Sequence, residues 1–156
     1  MLPYIDNQEI YNEFHLDEPW DSPHNLALLK EMPPILRCPS DPNPVEGMTN
    51  YQVVVGLNTV FTPDFKPVAI ADIPDGATST FLVGESPRKV PWTKPEDLPI
   101  DLKMPLHGLG NHDGFNMGFA DGHVRHFAGD IDPALLNAIL TRNGHEDVSR
   151  LENDLQ

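Results

Sequence analysis

The chain has little cysteine, few basic residues and no long apolar run, and each of these shortages excludes a structural feature or a class of function. Cys38 is the only cysteine among 156 residues, so no intrachain disulfide can form. Ten Lys and Arg residues stand against 24 Asp and Glu residues. The resulting formal charge of −14 argues against binding to a DNA or RNA backbone, and it is compatible with cations, cationic partners or simple solubility. No segment reads as a signal peptide or a membrane span.

Proline and glycine, in contrast, are abundant, with 17 and 11 residues. Such a composition predicts short elements joined by many loops. The length is typical of one domain with a real core, so we expect a single globular domain over 1–156. Its charged end, from about 145 to 156, is expected to fray.

Three short helices are predicted from their capping signals. The first covers about 6–14, where a capping-box spacing precedes an apolar face. The second begins at Ser22, which has an N-cap side chain and is followed by Pro23 in the first turn. The third begins at Asp132-Pro133, continues through Leu140 and is ended by Asn143-Gly144.

Short runs of apolar and β-branched residues predict strands at 35–38, 51–55 and 79–83. We expect a loop at 57–69 and an extended, Pro- and Gly-rich excursion over 86–110. The order of these elements indicates an α+β domain with a mainly antiparallel sheet, short helices and long Pro/Gly-rich loops.

A hairpin is the firmest structural prediction, because Asp121-Gly122 lies between two alternating apolar runs. As a two-residue turn it would place Phe119 opposite Val124 and Met117 opposite His126. The predicted core face of this hairpin then consists of Phe115, Met117, Phe119, Val124 and His126.

The same region concentrates side chains that bind metals or move protons, because four of the seven histidines fall within 107–126. This pattern is compatible with a metal-dependent hydrolase of phosphate or carboxylic esters. Its metal would be zinc or manganese; calcium fits less well because no dense oxygen-ligand loop is present. The candidate ligands are His107, His112, Asp113 and His123, and the candidate general bases are Glu85 and Asp121.

Aromatic and polar side chains elsewhere are candidates for binding a ligand. Trp20, Asp21 and His24 lie together at a helix start, and Trp92 lies in the Pro-rich excursion. Asn116 belongs to the hairpin. Helix entry and packing are the alternative explanation for the first three residues.

Several strings of the chain together resemble a large planctomycete family called domain of unknown function 1559. They are Asp-Glu-Pro-Trp-Asp-Ser-Pro-His-Asn-Leu at 17–26, Arg-Cys-Pro-Ser-Asp-Pro at 37–42, Thr-Asn-Tyr at 49–51, Val-Pro-Trp-Thr-Lys-Pro-Glu-Asp-Leu at 90–98 and Phe-Ala-Asp-Gly at 119–122. The resemblance runs over nearly the whole chain. The family carries a prepilin-processing-associated His-x9-Asp-Gly motif and an N-terminal prepilin-like helix.

The resemblance implies a pseudopilin-like globular part, exported or held at the cell envelope, with a solute-binding label but no assigned activity. We therefore expect a non-catalytic domain that binds a partner protein or an extracellular ligand, with the hydrolase as the alternative. The prepilin helix would precede Met1, so membrane attachment is expected only through a helix that this chain lacks. Eight residues also separate His112 from Asp121, rather than the nine of the motif. The resemblance leaves the oligomeric state open.

Overall fold

The computed structural model describes residues 1–64, 66–99 and 114–146. Within these ranges the helices are α1 (Gln8–Glu13), α2 (Pro23–Ala27) and α3 (Pro133–Leu140). The strands are β1 (Met48–Val55), β2 (Phe81–Pro91), β3 (Leu98–Pro99), β4 (Gly114–Phe119) and β5 (Val124–Ala128). Single 3-10 turns lie at Leu2–Ile5, Leu28–Glu31, Pro34–Leu36 and Ile70–Asp72.

The five strands form one mixed sheet in the order β3-β1-β2-β4-β5. β2 and β4 pair antiparallel, as do β4 and β5, whereas β3 runs parallel to β1 with Val54 opposite Leu98. A mixed sheet with a few short helices confirms the predicted α+β class.

Two of the predicted helix starts are confirmed by side-chain caps. The Ser22 Oγ accepts the backbone N–H of Asn25 at 3.1 Å, and the Asp132 carboxylate accepts that of Ala134 at 2.8 Å. These bonds satisfy amides that a helix leaves free in its first turn. α1 is shorter than the predicted 6–14 and begins without a side-chain cap.

The predicted strand at 35–38 is wrong, because residues 34–36 form a 3-10 turn. Pro33 and Pro34 fix two successive φ angles, and Leu36 donates its backbone N–H to the Pro33 carbonyl at 3.0 Å. The excursion predicted from residue 86 is also wrong in its first part, since β2 continues to Pro91. The prolines of β2 concealed its strand character in the sequence.

The hairpin exists, but its predicted register is wrong by one residue. Gly118 lies opposite Val124 and Asn116 lies opposite His126. Phe119 donates its N–H to the His123 carbonyl at 2.9 Å, which leaves a three-residue loop. A one-residue slip moves every β5 side chain to the other face. Val124 is therefore 67% exposed and His126 is also exposed, instead of both being in the core.

The main core lies between α3 and one face of the sheet. α3 is apolar on the side that it buries, and β4 alternates buried aromatic or sulfur-containing residues with polar or small ones. The buried cluster consists of Val54, Phe81, Leu98, Phe115, Met117, Phe119, Phe127, Leu135, Leu136, Ile139 and Leu140.

The chain divides into two compact units. Unit 1 comprises residues 1–50 and 88–96, and unit 2 comprises 51–87 and 97–156. Unit 1 buries a small set of apolar residues that includes Leu28, Met32, Cys38 and Val90. The prediction of one domain over the whole chain stays a prediction. Across the described ranges, no helix combines the length and the apolar character needed to cross a bilayer.

Candidate ligand-binding site

The predicted metal cluster falls largely outside the described residues, since His107, His112 and Asp113 lie there. His123 is the predicted ligand that the structure describes. In the described ranges, no group of three or more His, Cys, Asp or Glu side chains is placed to hold a metal ion. The four-ligand site therefore stays a prediction.

Asp121 and His123 form a carboxylate–imidazole pair at the hairpin loop. The Asp121 Oδ1 lies 2.5 Å from the His123 Nδ1 and also accepts the His123 backbone N–H at 3.1 Å. That backbone bond, with help from the imidazole, holds the pKa of Asp121 below its usual value. The His123 ring stacks on Phe119 at 4.4 Å, and its buried Nε2 has no hydrogen-bond partner among the described residues. Asp121 therefore orients this ring through Nδ1 and leaves Nε2 as the second ring nitrogen.

Glu85 and Asn116, both predicted site residues, lie side by side on the sheet face opposite the core. The buried Glu85 Oε2 accepts the backbone N–H of Asn116 at 2.9 Å and its side-chain N–H at 3.2 Å. This arrangement turns the Asn116 Oδ1 toward the Nδ1 of His126, 3.2 Å away. Sequence reasoning did not include His126, because the two-residue turn had placed it in the core.

Two of the predicted ligand-binding residues in unit 1 are engaged in internal contacts. The Trp92 indole donates to the Leu29 carbonyl at 3.0 Å and packs edge to face on Phe14. The His24 Nε2 lies 2.8 Å from the Glu13 carbonyl, and its ring stacks on that of His15 at 3.6 Å. These contacts hold the helices of unit 1 together.

Trp20 lies at a mixed aromatic and charged surface of unit 1. The Lys94 ammonium is 5.7 Å from the centre of the Trp20 ring, which is a cation–π distance. Lys94 also forms an ion pair with Glu96, and the Glu96 carboxylate contacts Arg88 as well. The hydrogen bond from Lys94 is the main cause of the lowered pKa of Glu96. Asp21, the neighbour of Trp20, is exposed.

Unit 2 contains a surface cavity of about 520 Å³, which none of the sequence-predicted site residues in the described ranges lines. This volume is within the range of small-molecule sites in proteins, but the cavity is open to solvent and most of its lining residues are exposed. Its apolar wall includes Leu57, Pro63, Pro67 and Val68. Its charged lining residues are Asp64, Lys66, Asp72 and Arg142.

Internal hydrogen bonds hold the cavity loop, the segment at 57–72 that forms most of this cavity. The buried Thr59 hydroxyl lies 2.6 Å from the Phe61 carbonyl and 3.1 Å from the Gly56 carbonyl, and Gly56 donates its N–H back to Phe61 at 3.1 Å. At the far end, the Asp72 carboxylate accepts the Ala69 N–H at 3.2 Å. The loop is thus held at both ends by bonds that do not depend on a ligand.

Sequence reasoning missed the cavity because it treated 57–69 as a connecting loop. A signal was present: Pro63 and Pro67 lie close to large apolar residues that the fold leaves in solvent. Leu57 is 82% exposed and Ile70 is 71% exposed. Proline-stiffened loops with exposed apolar side chains are typical of binding surfaces.

Comparison with known proteins supports the resemblance over the first part of the chain. A family model described as "Protein of unknown function (DUF1559)" matches residues 1–65. That range covers α1, α2, β1 and the first half of the cavity loop. The comparisons with curated proteins and with solved structures gave no match.

Proposed function

We propose that this protein is a non-catalytic binding domain and that its ligand is a small molecule held in the unit 2 cavity. The single observation that carries this proposal is the cavity itself, which offers about 520 Å³ beside apolar walls. Following the resemblance, we also propose that the protein acts at the cell envelope or outside the cell and has a pseudopilin-like fold.

The construction of the cavity supports binding without a large conformational cost. Thr59 and Asp72 hold the loop through bonds that are already formed. A preformed site loses little conformational entropy when it binds, so more of the contact energy becomes affinity. Apolar walls with a few charged groups are also the usual lining of small-molecule sites.

The family match is compatible with the same site. It extends to residue 65 and so includes Leu57, Thr62, Pro63 and Asp64 of the cavity wall. The solute-binding label that accompanies the resemblance describes the kind of role that such a cavity could perform.

A cavity-filling variant tests the proposal. Val68 lines the cavity, so Val68→Trp should occupy the space that a ligand needs. Val124→Trp makes the same change at an exposed strand residue and is the matched control. We expect compounds from a small-molecule panel to raise the melting temperature of the wild type and of Val124→Trp, but not that of Val68→Trp. Equal shifts in all three proteins, or none in the wild type, would contradict the proposal.

A metal-dependent hydrolase is the second candidate, and the geometry of His123 favours it. Its buried Nε2 has no partner in the ranges that the structure describes, while Asp121 holds the Nδ1, as in histidines that ligate metals. The sequence predicts His112 and Asp113 as further ligands of the same metal. Zinc or manganese would then activate water for ester hydrolysis.

Elemental analysis of the protein, purified without a histidine tag, tests this second candidate. The hydrolase hypothesis expects near-stoichiometric zinc or manganese in the wild type and its loss in His123→Ala. His145→Ala, which changes an exposed histidine, is the control and should keep the metal. Absence of metal from the wild type after incubation with each ion and desalting would remove the hypothesis.

A further inference from the structure

We infer that the unit 2 cavity selects a small molecule with one carboxylate on an apolar body, and that Arg142 binds this carboxylate. The inference rests on the proposed function, because it names the ligand class of the same cavity. It concerns a residue that neither the sequence motifs nor the family match covers.

Arg142 differs from Lys66, the other cation of the cavity wall, in having no ion pair within the described ranges. The Asp64 carboxylate lies 2.7 Å from the Lys66 ammonium, which holds the pKa of Asp64 at about 2. The Asp72 carboxylate accepts a backbone N–H of its own loop. Arg142, in contrast, forms no ion pair with a carboxylate among residues 1–64, 66–99 and 114–146. Within the part of the chain that the structure describes, its charge is therefore available to a ligand.

The chain holds Arg142 in place from both its backbone and its side chain. Its backbone N–H donates to the Asn58 carbonyl at 2.7 Å, and its own carbonyl accepts the Asp75 N–H at 3.3 Å. The Nη1 donates to the carbonyl of the buried Thr59 at 3.1 Å. A guanidinium has five N–H donors, so this bond leaves donors for a two-point contact with a carboxylate. Anchoring lowers the entropy cost of that contact.

The rest of the wall limits what the ligand can be. Leu57, Pro67 and Val68 offer apolar contact, which favours a hydrocarbon body. Asp64 and Asp72 are negative and would repel a second anionic group, so a single carboxylate fits better than a phosphate dianion. The formal charge of −14 does not prevent this binding, because salt screens distant charges over about 8 Å at physiological ionic strength.

Titration of the full chain with matched acids and amides tests the inference. The probes are benzoate with benzamide and hexanoate with hexanamide, followed through backbone amide signals in nuclear magnetic resonance spectra. We expect signals of Leu57, Val68 and Arg142 to move, and each acid to bind about tenfold more tightly than its neutral amide. Arg142→Gln should remove that preference.

Two further variants separate charge, geometry and folding. Arg142→Lys keeps the charge but not the planar fork, so it should bind the acids with intermediate affinity. Lys66→Gln removes a cation that already has a partner, and it should keep the preference for acids. Circular dichroism checks that each variant is folded. If Arg142→Gln fails to fold, the wild-type comparison and Arg142→Lys decide the question.

The outcomes distinguish this inference from the proposed function. Amides that bind at the cavity as tightly as acids would overturn the inference and leave a small-molecule site. Unchanged acid affinity in folded Arg142→Gln would remove Arg142 from recognition and overturn the inference. No binding of any probe at the cavity would overturn the inference; a small-molecule panel that also fails would then remove the proposed function.

Discussion

Asn25 is a buried amide that closes the turn ahead of α2. Its Nδ2 donates to the carbonyls of His15 at 2.9 Å and Pro19 at 3.0 Å, and its Oδ1 accepts the His15 N–H at 3.0 Å. With 2% exposure, the side chain replaces water for three backbone groups. This one residue thus fixes a loop with no regular secondary structure of its own.

Replacing Asn25 should destabilise the protein strongly. Asn25→Ala leaves three backbone groups without their partner, so we expect a loss of about 3 kcal/mol in the free energy of unfolding. Chemical denaturation measures it. Asn12→Ala is the matched control, since the Asn12 side chain is exposed on α1 and its loss should cost less than about 0.5 kcal/mol. Equal costs for the two variants would contradict the role of Asn25.

Asp121 should make stability depend on acid pH. Its pKa is lowered in the folded state, so its stabilising effect is present above the ordinary value of 3.8 and is lost as pH falls through the lowered value. The wild type should therefore exceed Asp121→Asn in stability at neutral pH, and the difference should shrink in acid. Urea denaturation across pH measures this difference, with Asp130→Asn as a control for loss of one charge. A difference that stays constant into acid would contradict the assignment.

Sequence reasoning at this scale succeeded where one side chain acts on its own neighbours. The caps at Ser22 and Asp132 are such cases, because the bonded amide lies two or three residues away. Arg142 is the opposite case: its partners, Asn58 and Thr59, are more than eighty residues away in the chain. No local pattern marks such a residue.

At the scale of elements, the hairpin shows how one additional loop residue decides which side chains reach the core. The Asp-Gly pair correctly predicted the hairpin. It did not determine whether the loop has two or three residues, because Gly favours positive φ in both types. The observed loop has Gly122 at φ +93°. The sequence thus predicted the hairpin, while the paired strands determined which face of β5 is buried.

Gly122 should be costly to replace because of its backbone conformation alone. No atom of the described residues lies within 4 Å of a Cβ at this position, so contact does not oppose Gly122→Ala. The positive φ of Gly122 opposes the substitution, because a side chain strains this conformation. We expect a loss of about 1 kcal/mol in the free energy of unfolding. Gly129→Ala is the matched control, since a Cβ there also meets no described atom within 4 Å and its φ is not in the left-handed region. Equal melting temperatures for the two variants would argue against the observed loop.

The register of β5 gives a second prediction at this scale. Phe127 is buried and Val124 is 67% exposed. Phe127→Ala should therefore lower the free energy of unfolding by about 3 kcal/mol or more, whereas Val124→Ala should lower it by less than about 1 kcal/mol. Chemical denaturation of both variants compares them. The two-residue turn expected from the sequence would give the opposite order.

At the scale of the whole molecule, local signals were weakest where two distant segments meet. The class of fold followed from the order of elements, and the sheet confirmed it. The cavity did not follow, because its wall combines the 57–72 loop with Arg142 beyond α3. Unit 1 shows a related effect: Trp92 and His24 were predicted to bind a ligand, and the fold engages both in internal contacts.

Mapping ligand contacts on the wild-type chain tests the central claim most directly. Benzoate added to the nitrogen-labelled protein should move amide signals from residues 57–72 and from Arg142, while the two Trp indole signals stay in place. That result would place the binding site at the unit 2 cavity. Shifts at the Trp20 or Trp92 indole with none at the cavity would contradict the account and return the site to the residues first predicted from the sequence.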